Sequence, residues 1–125
     1  MSALERALNN RVLIVEDEAL IALDIAGELM LAGFRIVGPA TSVNAALTLI
    51  SDVGCDVAVL DVNVRDETSE RIASVLRTAG TPFLFLSGLS RDQYQNWMAE
   101  APFISKPVDY ASLLSALQSC LDGTS

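Results

Sequence analysis

The chain has 125 residues, 51% of them hydrophobic, and eight basic against sixteen acidic residues give a formal net charge of -8. This length and apolar content suit one domain with a full core, so no disulfide or metal staple is needed for stability. The acid excess excludes a basic-patch contact with nucleic acid or anionic membrane, and no apolar run reaches the roughly 18 residues of a membrane span. Histidine is absent, which removes Ser-His and Cys-His pairs, histidine metal ligands and a phosphohistidine of the chain's own. Cys55 and Cys120 stand in no metal-type spacing and read as small buried hydrophobes.

Residues 1–10 form an N-terminal extension without a charged-then-apolar leader pattern, so a cytoplasmic protein is expected. From residue 11 the pattern alternates strand and helix to residue 122, where a single domain ends with no output domain expected after it. A first strand at 11–16 is followed by a helix at 18–31, with Gly33 as its stop signal. A second strand at 34–38 precedes a helix at 42–51, capped by Thr41 or Ser42. The third strand, 55–60, leads to a helix at 68–79 closed by Gly80. A fourth strand at 82–87 precedes a short helix at 91–99, with Ser90 and Gln93 as its capping box. The fifth strand, 101–104, leads to a last helix at 109–121 capped by Asp109. The strands are continuously apolar, as strands buried on both faces should be, so the expected fold is α/β: a parallel sheet with helices on both faces.

On the first helix, Ile21, Ala22, Ile25, Ala26, Leu29 and Met30 form one broad face toward the sheet, and Asp24 and Glu28 lie opposite. Leu20 and Leu31 sit beside those acids. They read either as the fringe of a wide core stripe or as a docking surface for a partner helix. Tyr94, Trp97 and Met98, at helical spacing, read as core and interface residues.

The strand ends carry the chemistry. Val12-Leu13-Ile14-Val15 stops in Glu16-Asp17, Val57-Ala58-Val59-Leu60 stops in Asp61, and Phe103-Ile104-Ser105 stops in Lys106-Pro107. An open parallel sheet brings such carboxyl ends to one edge, where ligands bind. Acids crowded there repel one another, and a hard divalent cation, magnesium above all, relieves the repulsion. Asp61 reads as a metal ligand or as a phosphoryl-accepting nucleophile. Asn63 is placed to offer its backbone carbonyl to the metal. Ser87 ends the fourth strand with a hydroxyl for a phosphoryl oxygen, Gly88 leaves the cleft uncrowded, and Lys106 supplies a compensating charge. Pro107 is a candidate for a cis peptide bond that aims the lysine.

This ordered set resembles response-regulator receiver domains, the CheY-like, flavodoxin-type fold of two-component signalling, along nearly the whole chain. The resemblance implies a five-stranded sheet of order 2-1-3-4-5. It implies Asp61 as phosphoacceptor, Glu16 and Asp17 as metal-side acids, Asn63 as carbonyl ligand to Mg2+, Ser87 as switch hydroxyl, Lys106 as the phosphoryl-binding lysine and Phe103 as switch aromatic. Phe103 reads equally as an immobile core aromatic. Asp61-Val62-Asn63-Val64 with Glu67-Thr68, and Pro82 through Leu89, look like the FAT GUY subgroup, typically stand-alone receivers paired with HWE/HisKA2-type sensor histidine kinases. Leu86 and Leu89 depart from that subgroup, where alanine and an aromatic are usual.

The function so implied is that of a single-domain response regulator, not a turnover enzyme. It takes a phosphoryl group from a histidine kinase or phosphotransfer protein and signals to a downstream protein through its fourth helix, fifth strand and fifth helix, the face through which receivers commonly form homodimers. Two alternatives carry different expectations. A haloacid-dehalogenase-type phosphatase needs a second acid two residues after its nucleophile, where this chain has Asn63. A pseudo-receiver would bind partners without phosphorylation and without magnesium.

Overall fold

The computed structural model describes residues 10–88, 95–98 and 101–123. Five parallel strands form the sheet: β1 (Arg11–Val15), β2 (Arg35–Ala40), β3 (Val57–Asp61), β6 (Phe83–Ser87) and β7 (Phe103–Ser105), in the order β2-β1-β3-β6-β7. Two further strands, β4 (Asn63–Val64) and β5 (Glu67–Thr68), pair antiparallel in a miniature hairpin between β3 and the next helix. The helices are α1 (Ala19–Leu31), α2 (Val43–Asp52), α3 (Glu70–Ala79) and α4 (Tyr110–Asp122). The main sheet therefore has the expected 2-1-3-4-5 order of a CheY-like fold once the hairpin is set aside.

Continuous apolar strands and a two-sided core have one cause. Successive side chains leave a strand on opposite faces. Leu13, Val15, Ala58, Leu60, Phe83 and Phe85 point to one face, where Val43 and Ala46 of α2 and Ile72, Ala73 and Leu76 of α3 cover them. Val12, Ile14, Val57, Val59, Leu84 and Leu86 point to the other, under Ile25, Ala26 and Leu29 of α1 and Leu113, Leu117 and Cys120 of α4. Each fully buried Leu, Ile or Phe contributes about 2 kcal/mol, so both faces are needed to hold the central strands.

Several expected boundaries move, each for a local reason. The second strand runs to Ala40, because the ladder with β1 shifts register between Leu13 and Val15 and takes up Gly38-Pro39 as an irregularity on the sheet's edge. Cys55 does not open the third strand. It precedes the turn at Asp56, whose carboxylate accepts the Arg11 N–H at 2.7 Å while the Arg11 guanidinium donates to the Val53 carbonyl at 2.8 Å. The third helix begins at Glu70 rather than 68, since Glu67–Thr68 fold back on Asn63–Val64. The fifth strand is displaced to Phe103–Ser105.

The caps also sort out. Ser42, not Thr41, caps α2, its Oγ accepting the Ala45 N–H at 3.1 Å, and Gly80 closes α3 in the left-handed conformation. Asp109 occupies the cap position of α4 without bonding the helix backbone, because its carboxylate accepts the Ser112 hydroxyl instead. Met30 turns outward and is exposed, so the buried face of α1 is Ala22, Ile25, Ala26 and Leu29. Of the expected fourth helix, Asn96–Met98 form a short 3-10 turn in which Met98 is buried. Tyr94, the Ser90 and Gln93 capping pair and Leu89 lie outside the described residues.

Two left-handed glycines separate strain from space. A Cβ at Gly38, at φ +96°, would lie 2.7 Å from the Ala40 nitrogen and 3.2 Å from the Ile14 oxygen, whereas at Gly80, at φ +72°, it would meet nothing within 4 Å. Gly38→Ala should therefore cost about 3 kcal/mol and Gly80→Ala about 1 kcal/mol. Urea unfolding of the two variants checks this, and equal losses would count against it.

Candidate functional site

Three parallel strands end together. Glu16 continues β1, its N–H bonding the Ala40 carbonyl at 3.0 Å, and Asp61 closes β3. Lys106 follows β7, and its N–H donates to the Ser87 carbonyl at 2.9 Å, so the lysine leaves the sheet beside the tip of β6. Its ammonium Nζ lies 3.1 Å from both Glu16 Oε1 and Oε2 and 3.2 Å from Asp61 Oδ2. Glu16 is fully buried and Asp61 is 8% exposed. The Lys106–Pro107 bond is cis, as the sequence suggested.

Asp17 completes the cluster from the loop after β1. Glu16, Asp17 and Asp61 each offer a carboxylate oxygen within 4.8 Å of the others. Two carboxylates about 4 Å apart repel by about 4 kcal/mol at a surface-like dielectric. Burial, then hydrogen bonding and repulsion from Asp61, push the Glu16 carboxyl from 4.5 up to about 7, while the Lys106 ammonium works in the opposite sense. Burial alone would lower the Lys106 ammonium, but the Asp61 and Glu16 carboxylates outweigh it and hold it above its ordinary value. Three carboxylates facing one ammonium leave an unneutralised negative charge, and an all-oxygen donor set of this kind fits a hard cation such as Mg2+.

The remaining expected residues fall around this cluster. Ser87 is buried at the end of β6, and Gly88 follows with open space where a side chain would stand. Asn63 is exposed two residues beyond Asp61, in register with Thr68. Phe103 packs in an aromatic group. Its ring centroid is 6.4 Å from that of Phe85, in a group where Phe85 also meets Phe83 at 5.5 Å and Trp97 at 5.4 Å. Burial pushes the Cys55 thiol up to about 11 and raises the Cys120 thiol, so neither is a nucleophile at neutral pH.

Two contacts had no sequence signal. Arg65 adopts a positive φ of 57°. Its backbone N–H donates to Asp17 Oδ2 at 2.8 Å and its Nε to the Thr41 carbonyl at 2.8 Å. The Tyr110 hydroxyl donates to Asp24 Oδ2 at 2.6 Å, joining α4 to the helix face that periodicity assigned to solvent. Below that bond lies a groove of about 380 Å³ lined by Leu20, Ile21, Asp24, Lys106, Pro107, Val108 and Tyr110. Leu20 is 83% and Leu31 85% exposed, and Leu23 and Met30 extend the apolar surface between them.

A doubly covered parallel sheet of this order, with acids and a lysine at its carboxyl edge, defines the CheY-like class. Comparison with known proteins agrees. SdrG from Sphingomonas melonis Fr1 has a solution structure that is 34% identical, with 97% of this chain and 99% of that one covered and a TM-score of 0.79. A response regulator receiver domain (CheY-like) from Methylobacillus flagellatus is 28% identical over 89% of this chain and 98% of its own, with a TM-score of 0.78. The transcriptional regulatory protein PdtaR of Mycobacterium tuberculosis is 28% identical over 118 residues, 91% of this chain, and the chain spans 58% of that protein's length. No family model matches the sequence. The chain belongs to the response-regulator receiver-domain family. Among the described residues no helix is long and apolar enough to cross a membrane.

The raised Glu16 carboxyl sets a pH dependence in chelated protein. The folded state holds this proton more tightly than the unfolded chain, so its contribution to stability is complete below pH 4.5 and is lost as pH rises through about 7. The urea midpoint in the presence of a chelator should therefore fall between about pH 5 and about pH 8, and Glu16→Gln should flatten that segment. A wild-type midpoint constant across this window would refute the assignment.

Proposed function

We propose that this receiver accepts a phosphoryl group on Asp61 and signals through the change in charge that follows. The observation that carries the reading is the position of Asp61: at the end of the central strand, nearly buried, 3.2 Å from the Lys106 ammonium and beside two further acids. An Asp61 oxygen attacks the phosphorus of a phosphohistidine in line; the new O–P bond forms as the P–N bond breaks and the imidazole nitrogen leaves with the bonding pair. Lys106 follows the charge from the carboxylate to a phosphoryl oxygen, and the Ser87 hydroxyl donates to another. Glu16, Asp17, Asp61 and the Asn63 carbonyl would hold Mg2+, which when bound neutralises the acids and the incoming phosphoryl group. Phosphorylation replaces the single negative charge of Asp61 with about two on the phosphoryl group, and new bonds to Ser87 and Lys106 bias Phe103 and β7.

The donor is a sensor histidine kinase, of the HWE/HisKA2 type that the sequence resemblance implies, or a phosphotransfer protein. It docks on Leu20 and Leu31 of α1. Support for this site comes from their exposure and from the groove that runs from Leu20 to Lys106. The acceptor is stoichiometric, so the output is a downstream protein bound by the altered β7 side of the molecule.

Incubation with a small phosphodonor and magnesium, followed by intact mass, tests the acceptor. Wild type should gain one phosphoryl group and Asp61→Ala none; a gain by the variant ends this reading, and no gain by wild type favours the phosphorylation-independent module. Replacing Leu20 and Leu31 by glutamine should slow transfer from the kinase roughly tenfold or more and leave the small donor's rate unchanged. Equal slowing of both routes would remove α1 as the docking site.

A further inference from the structure

Arg65 is in the wrong conformation for its residue type. Val64 pairs with Glu67, so Arg65 and Asp66 are the two central residues of the β4–β5 hairpin. Both favoured turns for such a loop put a positive φ at the first central position, where glycine is the usual occupant and asparagine or aspartate the usual substitute. Arg65 takes that position at φ 57°. A strained residue of this kind persists only where surrounding contacts over-determine it.

Among the described residues two contacts do this, and they join three loops. The Arg65 side chain is anchored through Nε to the carbonyl of Thr41, the residue between β2 and the Ser42 cap of α2. Its backbone N–H, held in place by that anchor, donates to Oδ2 of Asp17 in the loop after β1. One oxygen of a carboxylate that belongs to the acid cluster is thereby fixed at 2.8 Å from a backbone donor, which restricts the orientation of the group. A carboxylate held in this way loses less freedom when it takes up a cation, the usual benefit of an outer contact to a metal ligand.

On the reading that Asp61 accepts its phosphoryl group beside a bound magnesium ion, we infer that Arg65 is a positioning residue that orients Asp17 for the metal, at the cost of backbone strain in its own hairpin. Its contacts are to Asp17 and Thr41, so it acts through another residue. Its side chain acts through the Thr41 anchor, and its left-handed backbone is the conformation that the anchor maintains.

Arg65→Gly and Arg65→Ala both keep the N–H and lose the anchor, but only glycine relieves the strain. Isothermal titration with Mg2+ should show affinity reduced about tenfold in Arg65→Ala and by a smaller factor in Arg65→Gly, the low end of the range for outer-contact losses. Thermal unfolding of Arg65→Gly should occur at or above the wild-type temperature. A side chain with only a structural role would move affinity and stability together. In an Asp17→Asn background Arg65→Ala should cause no further loss of Mg2+ affinity, because the group it orients is gone. Wild-type Mg2+ affinity in both Arg65 variants, or a full additional loss in the Asp17→Asn background, would overturn the assignment. Wild-type uptake of a phosphoryl group, read by intact mass, is scored separately. Uptake with unchanged affinities defeats only the role of Arg65, and weakened affinities without uptake defeat only the phosphoacceptor.

Discussion

The Lys106 ammonium, shared between Glu16 and Asp61, is the interaction on which the site depends. Two carboxylates this close and this buried would repel each other strongly, and burial alone already drives the Glu16 carboxyl toward neutrality. Lys106 is the cation that the fold itself supplies, and its backbone is pinned to Ser87 so that the side chain has little choice of direction. Removing one partner of such a buried set costs more than the pair contributes, because it leaves an unpaired charge behind. The third acid, Asp17, lies outside the reach of this compensation and is held instead by a backbone donor. The cluster therefore keeps an appetite for positive charge that the protein does not itself satisfy.

Much of this was legible in the chain. The two-faced core follows from unbroken apolar runs such as Val12–Val15 and Val57–Leu60, which only a covered parallel sheet accommodates. The convergence of Glu16, Asp17, Asp61 and Lys106 follows from their places immediately after those runs. What escaped was structure made by backbone groups and by reversals too short to show a period. Two-residue strands carry no alternation, so the β4–β5 hairpin was invisible. The Arg65 N–H belongs to every residue type and so leaves no mark in the sequence. Asp109 matched the capping pattern but bonded Ser112, because a local hydroxyl competed with the helix backbone. Met30 lies about 90° from the centre of the buried face even on an ideal wheel, at the margin of the apolar stripe, and the structure leaves it exposed.

The first helix has two characters. Its inner side is an ordinary packing stripe against β1 and β3, while its outer side exposes Leu20, Leu23, Met30 and Leu31 around Asp24 and Glu28. Leu20 also lines the groove that ends at Lys106, so this apolar surface and the acid cluster are continuous. A helix with this much exposed leucine carries more hydrophobic surface than the fold requires, and the excess lies beside the chemistry rather than at random. The Tyr110–Asp24 bond fixes the spacing of the groove's two walls, tying α4 to α1 across its rim.

The distance along the chain between the partners has a consequence for assembly. Glu16 and Lys106 are 90 positions apart and Asp61 stands midway, each at the end of a different strand. The first half of the polypeptide brings the acids together through the direct pairing of β1 and β3, but the lysine comes only from the second half. Closing the last edge of the sheet brings the ammonium to the acids in one step, so their neutralisation by Lys106 appears only with the finished topology. The charge balance of the acid cluster is thus a property of the completed sheet, and any truncation that removes β7 leaves the acids without their internal cation.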